Sequence, residues 1–149
     1  MKIAIASDHA GFAAKEHLKD YLLDNGHDVY DCGTFDESSC DYPDFAYKAA
    51  EEVVSGECER AILICATGVG ISIAANKVKG VRCALCTDEI CAEFCRRHND
   101  ANALAMGAKI VPVEKMEKLA DVFLSTEFEG GRHSRRVGKI TAIEEGELK

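Results

Sequence analysis

A thiol, a hydroxyl and a run of small residues stand together at Cys65-Ala66-Thr67-Gly68-Val69-Gly70. Before them lies an unbroken apolar run, Ala61 to Ile64, the pattern of a parallel strand buried on both faces. After them Ile71, Ile73, Ala74 and Ala75 read as the opening of a helix. Strand, glycine turn and helix start aim backbone N–H groups at one spot, which favours an anion there. A thiol in such a place can fall from a free pKa of about 8.5 towards neutrality. Cys65 could then remove a proton at physiological pH while the neighbouring amides hold the charge created. The segment is neither of two familiar phosphate motifs. No Gly-Lys-Ser/Thr follows, and Ile73 stands where a dinucleotide fingerprint needs its third glycine.

Three other places carry polar groups suited to chemistry. Asp8 and His9 directly follow the first apolar run; an Asp there is either a helix cap or a ligand-facing group. His98 and Asn99 end a helix, an ordinary stop signal. Arg132, His133, Arg135, Arg136 and Lys139 concentrate positive charge in the first turns of a helix, where the macrodipole disfavours cations. Arg132 and Arg136, four residues apart, share a helix face and could hold one phosphate between them.

These residues need a scaffold. Lys2 to Ala6, His27 to Asp31, Ala61 to Cys65, Val81 to Cys86 and Ala103 to Met106 read as strands, the last resuming at Ile110-Val111. Helices fill the gaps: Phe12 to Asn25, Tyr42 to Gly56, Glu89 to Arg97, Met116 to Leu124 and Arg132 to Glu144. Such alternation predicts one α/β domain over residues 1–149, a doubly wound five-stranded parallel sheet of Rossmann or flavodoxin-like type with a C-terminal helix. The expected strand order is 2-1-3-4-5, with strands 1 and 3 meeting at the switch point where ligands bind. Asp8-His9 and Cys65 to Gly70 would then face each other. A formal net charge of -8 argues against nucleic-acid binding, and no apolar run nears the roughly 20 residues of a membrane span. The N-terminus turns polar too soon for a signal peptide, so a cytoplasmic protein with reduced thiols is expected. Among eight cysteines, Cys83 and Cys86 should point to opposite faces of a strand, which disfavours a zinc site.

The chain resembles the type B ribose-5-phosphate isomerase family, which also contains hexose-phosphate isomerases. The likeness rests on Ser7-Asp8-His9-Ala10-Gly11-Phe12, Asp41-Tyr42-Pro43, Cys65 to Asn76, Arg97-His98-Asn99-Asp100-Ala101-Asn102 and Glu129-Gly-Gly-Arg-His133. It implies an aldose–ketose isomerase with no cofactor and no metal, working as a homodimer with shared active sites, in some members a tetramer. By position it makes Cys65 the base between C2 and C1 and gives Thr67 the hydroxyl oxygens. Ala66, Gly68, Val69 and Gly70 would hold the enediolate. His98 would open the ring, with Asp8 on its other side. His9, Arg132 and Arg136 would take the phosphate, and Tyr42 and Asn99 would line the site. Cys65 together with Ile71 places the chain in the cysteine branch, since another branch uses a glutamate at the position of Ile71. Lys109 stands where many members have arginine, and it lacks the bidentate fork. Hexose 6-phosphates are the alternative substrates. A non-catalytic phosphosugar sensor would not need Cys65 and His98 together.

Overall fold

The computed structural model describes Met1–Lys149. In chain order the elements are β1 (Lys2–Ser7), α1 (Phe12–Asp24), β2 (Asp28–Asp31), α2 (Tyr42–Val54), β3 (Arg60–Cys65), α3 (Val69–Ala75), β4 (Cys83–Leu85), α4 (Glu89–Arg97), β5 (Ala103–Gly107), α5 (Val113–Ser125) and α6 (Arg132–Glu144). The strands form one sheet, every pair parallel. Because side chains alternate along a strand, the Ile-Ala-Ile-Ala of β1 gives the sheet a bulky face and a small one. Ile3, Ile5, Ile62, Ile64, Leu104 and Met106 pack under α1, α4 and α5. Ala4, Ala6, Ala61, Ala103 and Ala105 meet α2 and α3, where Ala46, Ala49 and Ala50 let α2 lie close.

The sheet order is β2-β1-β3-β5-β4, not the expected 2-1-3-4-5. Burial explains the exchange. Residues Ala103 to Met106 of β5 are no more than 1% exposed, as a central strand buried on both faces must be. β4 is only three residues long, half-buried to exposed, and suits an edge. The fifth strand also ends at Gly107 without resuming, and Ile110 projects into solvent. Strands 1 and 3 remain neighbours, with Ser7 opposite Ile64, so the predicted switch point stands.

A charged group of α1 lies inside the frame. Lys15 of α1 is fully buried, and its Nζ donates to Asp31 at 2.7 Å and Glu16 at 2.9 Å. It ties α1 to the end of β2, and thereby to the loop that runs past β1. Most of α6 stands away from the sheet, with His133 its single buried residue. Its far end is pinned by Glu144, which accepts from the Gly80 N–H. No helix is long and apolar enough to cross a membrane.

Candidate active site

At the C-terminal edge of the sheet, β3 ends on Cys65, which is 4% exposed. Its Sγ accepts the Gly68 N–H at 3.1 Å. That bond requires the chain to double back, and Gly68 does so at φ 80° as the N-cap of α3, a conformation costly for other residues. Beside it the Val69 N–H donates to Thr67 Oγ1 at 3.3 Å, leaving the threonine exposed. The turn lies directly on β5. A Cβ at Gly107 would come 2.5 Å from the Thr67 backbone, so only glycine admits the loop. Lys109 follows, its N–H held by Ala66 C=O at 2.9 Å and its side chain exposed.

Across the switch point, Asp8 is 6% exposed. Its Oδ1 accepts the Gly11 N–H at 3.1 Å, while its own N–H donates to Ile64 C=O at 3.3 Å. Asp8 is thus not the cap of α1, whose N-cap is Gly11; it closes the turn before the helix, which fixes the carboxylate next to the Cys65 turn. His9 Nδ1 accepts the Cys40 N–H at 3.2 Å. An imidazole that accepts at Nδ1 carries its proton on Nε2, which leaves Nε2 as a donor for an anion. Tyr42 closes this side. Its ring lies on Gly70, where a Cβ would fall 2.6 Å from Cζ. Asp8, His9, Tyr42, Cys65 to Gly70 and Lys109 thus share one edge of the sheet.

His98, Asn99, Arg132 and Arg136 do not join them. α4 runs back against the strands and delivers His98 to the start of β5. Ala103 pairs with Ala61 and Gly107 with Cys65, so the two edges lie about 13 Å apart at roughly 3.3 Å per residue. The turn after α4 is built by charge. Arg96, 2% exposed, donates from Nη1 to Asp100 Oδ1 at 2.8 Å and Ala101 C=O at 2.6 Å, and from Nε to Thr126 C=O at 3.2 Å. Arg82 holds Asn99 C=O at 3.0 Å and Asp100 C=O at 2.9 Å. Asp100 sits between them at φ 47°. Asn99 is left exposed, and the ring of His98 stacks on that of His133 with centroids 4.1 Å apart. Arg132 and Arg136 are exposed on the same end of α6.

His98, Glu129 and His133 bring possible metal-binding atoms within 4.8 Å of one another. The rings are parallel to 9°, so their nitrogen lone pairs do not converge on a common point. Glu129 is already held by Arg97 Nε at 3.1 Å. Chelation does not fit this arrangement. Cys32 and Cys83 do not supply a second base. Burial pushes the Cys32 and Cys83 thiols up to about 12. Cys83 packs against the small face of the sheet and Cys86 against the bulky one, as their spacing predicts. The neighbouring Cys95 thiol and burial drive the Cys86 thiol far above the ordinary range.

Sequence reasoning did not find Cys40, Arg82, Phe94 and Arg96, all of which hold site groups. A buried guanidinium beside a half-buried one, Arg96 and Arg97, carries no periodic signal.

The model of the ribose/galactose isomerase family matches residues 3–140. Ribose-5-phosphate isomerase B of Escherichia coli K12 is 45% identical over 144 residues, 97% of each chain. The structure of ribose-5-phosphate isomerase B from Clostridium thermocellum superposes with a TM-score of 0.97 at 52% identity, over 98% of this chain and 99% of that one. That of the Mycoplasma genitalium enzyme, solved with bound ribulose-5-phosphate, gives 0.91 at 42% identity, over 97% and 96%. The chain belongs to the ribose/galactose isomerase family.

Proposed function

We propose that this protein interconverts D-ribose 5-phosphate and D-ribulose 5-phosphate through an enediolate, with Cys65 as the base. One observation carries the assignment of the base: a nearly buried sulfur at the end of a central strand, with the Gly68 N–H aimed at it and Asp8 directly after the adjoining strand. Cys65 removes the proton from C2 and returns it to C1. Thr67 serves the O1 and O2 hydroxyls. The N–H groups between Ala66 and Gly70 stabilise the enediolate oxygen, a contribution worth about 3 kcal/mol per donor in related sites. His9 takes the phosphate through Nε2–H.

Ring opening and the rest of the phosphate grip fall to His98, Asn99, Arg132 and Arg136. Because one chain holds these at the other edge of its sheet, the working site combines Cys65 of one copy with His98 of a second. A homodimer supplies two such sites. The exposed Ile140 and Ile143 of α6 offer apolar surface for that contact, and the free edge of β4 offers unpaired backbone N–H and C=O groups. All groups in the reaction come from protein side chains and amides, so no cofactor or metal is invoked. A place in cytoplasmic sugar-phosphate metabolism follows from this substrate.

Incubation with ribose 5-phosphate in D2O tests the reading: ketose appears and deuterium enters at carbon. No conversion of this substrate, alongside turnover of allose or galactose 6-phosphate, would move the chain to the hexose branch.

A further inference from the structure

His133 has no part in the mechanism above, yet it is 6% exposed and the one buried residue of α6. Its Nε2 is buried with no hydrogen-bond partner. A buried imidazole normally ends on a partner, because an unmatched polar atom costs about 1–3 kcal/mol. What His133 offers is a flat face. The His98 ring lies parallel to it at 4.1 Å and 9°, and on the other contact meets Phe94 at 4.8 Å and 58°. Three aromatic rings therefore form a short pile with His98 in it, and the imidazole edge is left half-exposed.

The surroundings disfavour a proton on His133. Burial, the neighbouring His98 ring, Arg132 and Arg136 all lower the His133 pKa, and Glu129 alone acts against them. A neutral His133 is a platform rather than a competing acid. Glu129, 3.9 Å from His98 Nε2 and bonded to Arg97, flanks the ring without replacing that platform.

We infer that His133 is a positioning residue for ring opening: its face fixes the His98 imidazole in the orientation that exchanges protons with the sugar hemiacetal. In that step the C1–O4 bond breaks, the O1 hydroxyl loses its proton as the aldehyde forms, and O4 gains one. An imidazole free to rotate would serve both oxygens poorly. This inference rests on the function proposed above, and a substrate without a ring separates the two. Ribulose 5-phosphate cannot close a five-membered ring, because its carbonyl is C2 and its O5 is esterified. Exchange of its C1 hydrogen with D2O therefore reports proton abstraction alone.

His133→Ala, His133→Phe and the unchanged protein are compared in both assays, with thermal melting as a check on folding. His133→Ala is expected to lower kcat on ribose 5-phosphate by about tenfold or more with KM within about twofold, and to leave C1 exchange within about twofold. His133→Phe, which keeps a flat apolar face and needs no partner for Nε2, is expected to recover most of the loss. Equal loss in both assays means a general structural role and overturns the inference, as does normal ring turnover in the Ala variant. Failure of Phe to recover it overturns the platform. If the unchanged protein does not convert ribose 5-phosphate at all, the proposed function fails first.

Discussion

The two edges of the sheet hold their site residues by opposite means. At the C-terminal edge, main chain does the holding: the Gly68 N–H on Cys65, the Gly11 N–H on Asp8 and the Cys40 N–H on His9. At the N-terminal edge guanidinium groups do it, with Arg96 and Arg82 gripping the turn from Asn99 to Ala101 and Arg97 gripping Glu129. The difference suits the two tasks. A base and an oxyanion cradle need fixed dipoles in a small dry space. A histidine that must meet a sugar held by a second copy has to stand open on its own chain, and His98 is 35% exposed there. Backbone geometry is hard to change with one mutation, whereas side-chain grips can be removed singly.

The largest effect is expected from the first edge. Cys65→Ala is predicted to lower kcat by about 10² to 10⁴ or more on ribose 5-phosphate, and to abolish C1 exchange with ribulose 5-phosphate as well, while the protein stays folded. A variant that turns over normally would remove Cys65 from the mechanism. At the second edge, Arg132→Ala and Arg136→Ala are expected to raise KM about tenfold each, near 1.4 kcal/mol, with little change in kcat. Inorganic phosphate should compete with substrate in the unchanged protein and less so in these variants. An unchanged KM in both would reduce this end of α6 to a solvated basic patch.

The buried grip gives a smaller, structural effect. Arg96→Met takes the Arg96 donor from the Ala101 carbonyl and from Asp100 Oδ1 and is expected to cost about 2 kcal/mol, read by denaturant unfolding. Ring-dependent turnover should fall more than C1 exchange, since only the second edge loosens. Equal falls would mean that the two edges are not independently built.

Asp31 is the exception that sharpens the contrast, an ion pair supporting the C-terminal edge. Burial opposes its charge, but hydrogen bonds from Lys15, the Gly33 N–H and Lys19 outweigh that and hold the carboxyl below its ordinary range. A depressed carboxylate contributes stability above its unfolded pKa, and that contribution is lost as pH falls through the folded value. Melting temperature is therefore expected to fall progressively below about pH 4. Asp31→Asn should be less stable at neutral pH and show a flatter acid limb. An identical acid limb in the variant would assign the loss to other carboxylates.

The legible parts of this molecule were those written in local pattern. The apolar run of β3, the Gly68 turn and the Ile-Ala alternation of β1 announce a parallel sheet and one half of the site. Strand order was not legible, because β4 and β5 have similar apolar content and only tertiary burial decides which lies inside. Arg96 shows the same limit, since a buried arginine and its half-buried neighbour read alike in sequence. The separation of His98 from Cys65 follows from the direction in which α4 runs, and spacing along the chain does not reveal it.

The central claim is that Cys65 and His98 of one working site come from different copies of the chain. Mixing Cys65→Ala with His98→Asn tests it directly. Each variant alone is nearly inactive on ribose 5-phosphate. After subunit exchange at equal amounts, half the dimers are mixed, and one site in each mixed dimer combines an intact Cys65 with an intact His98. Activity should return to about a quarter of the unchanged protein's value. If both groups came from one copy, every site in the mixture would carry a defect and mixing would restore nothing.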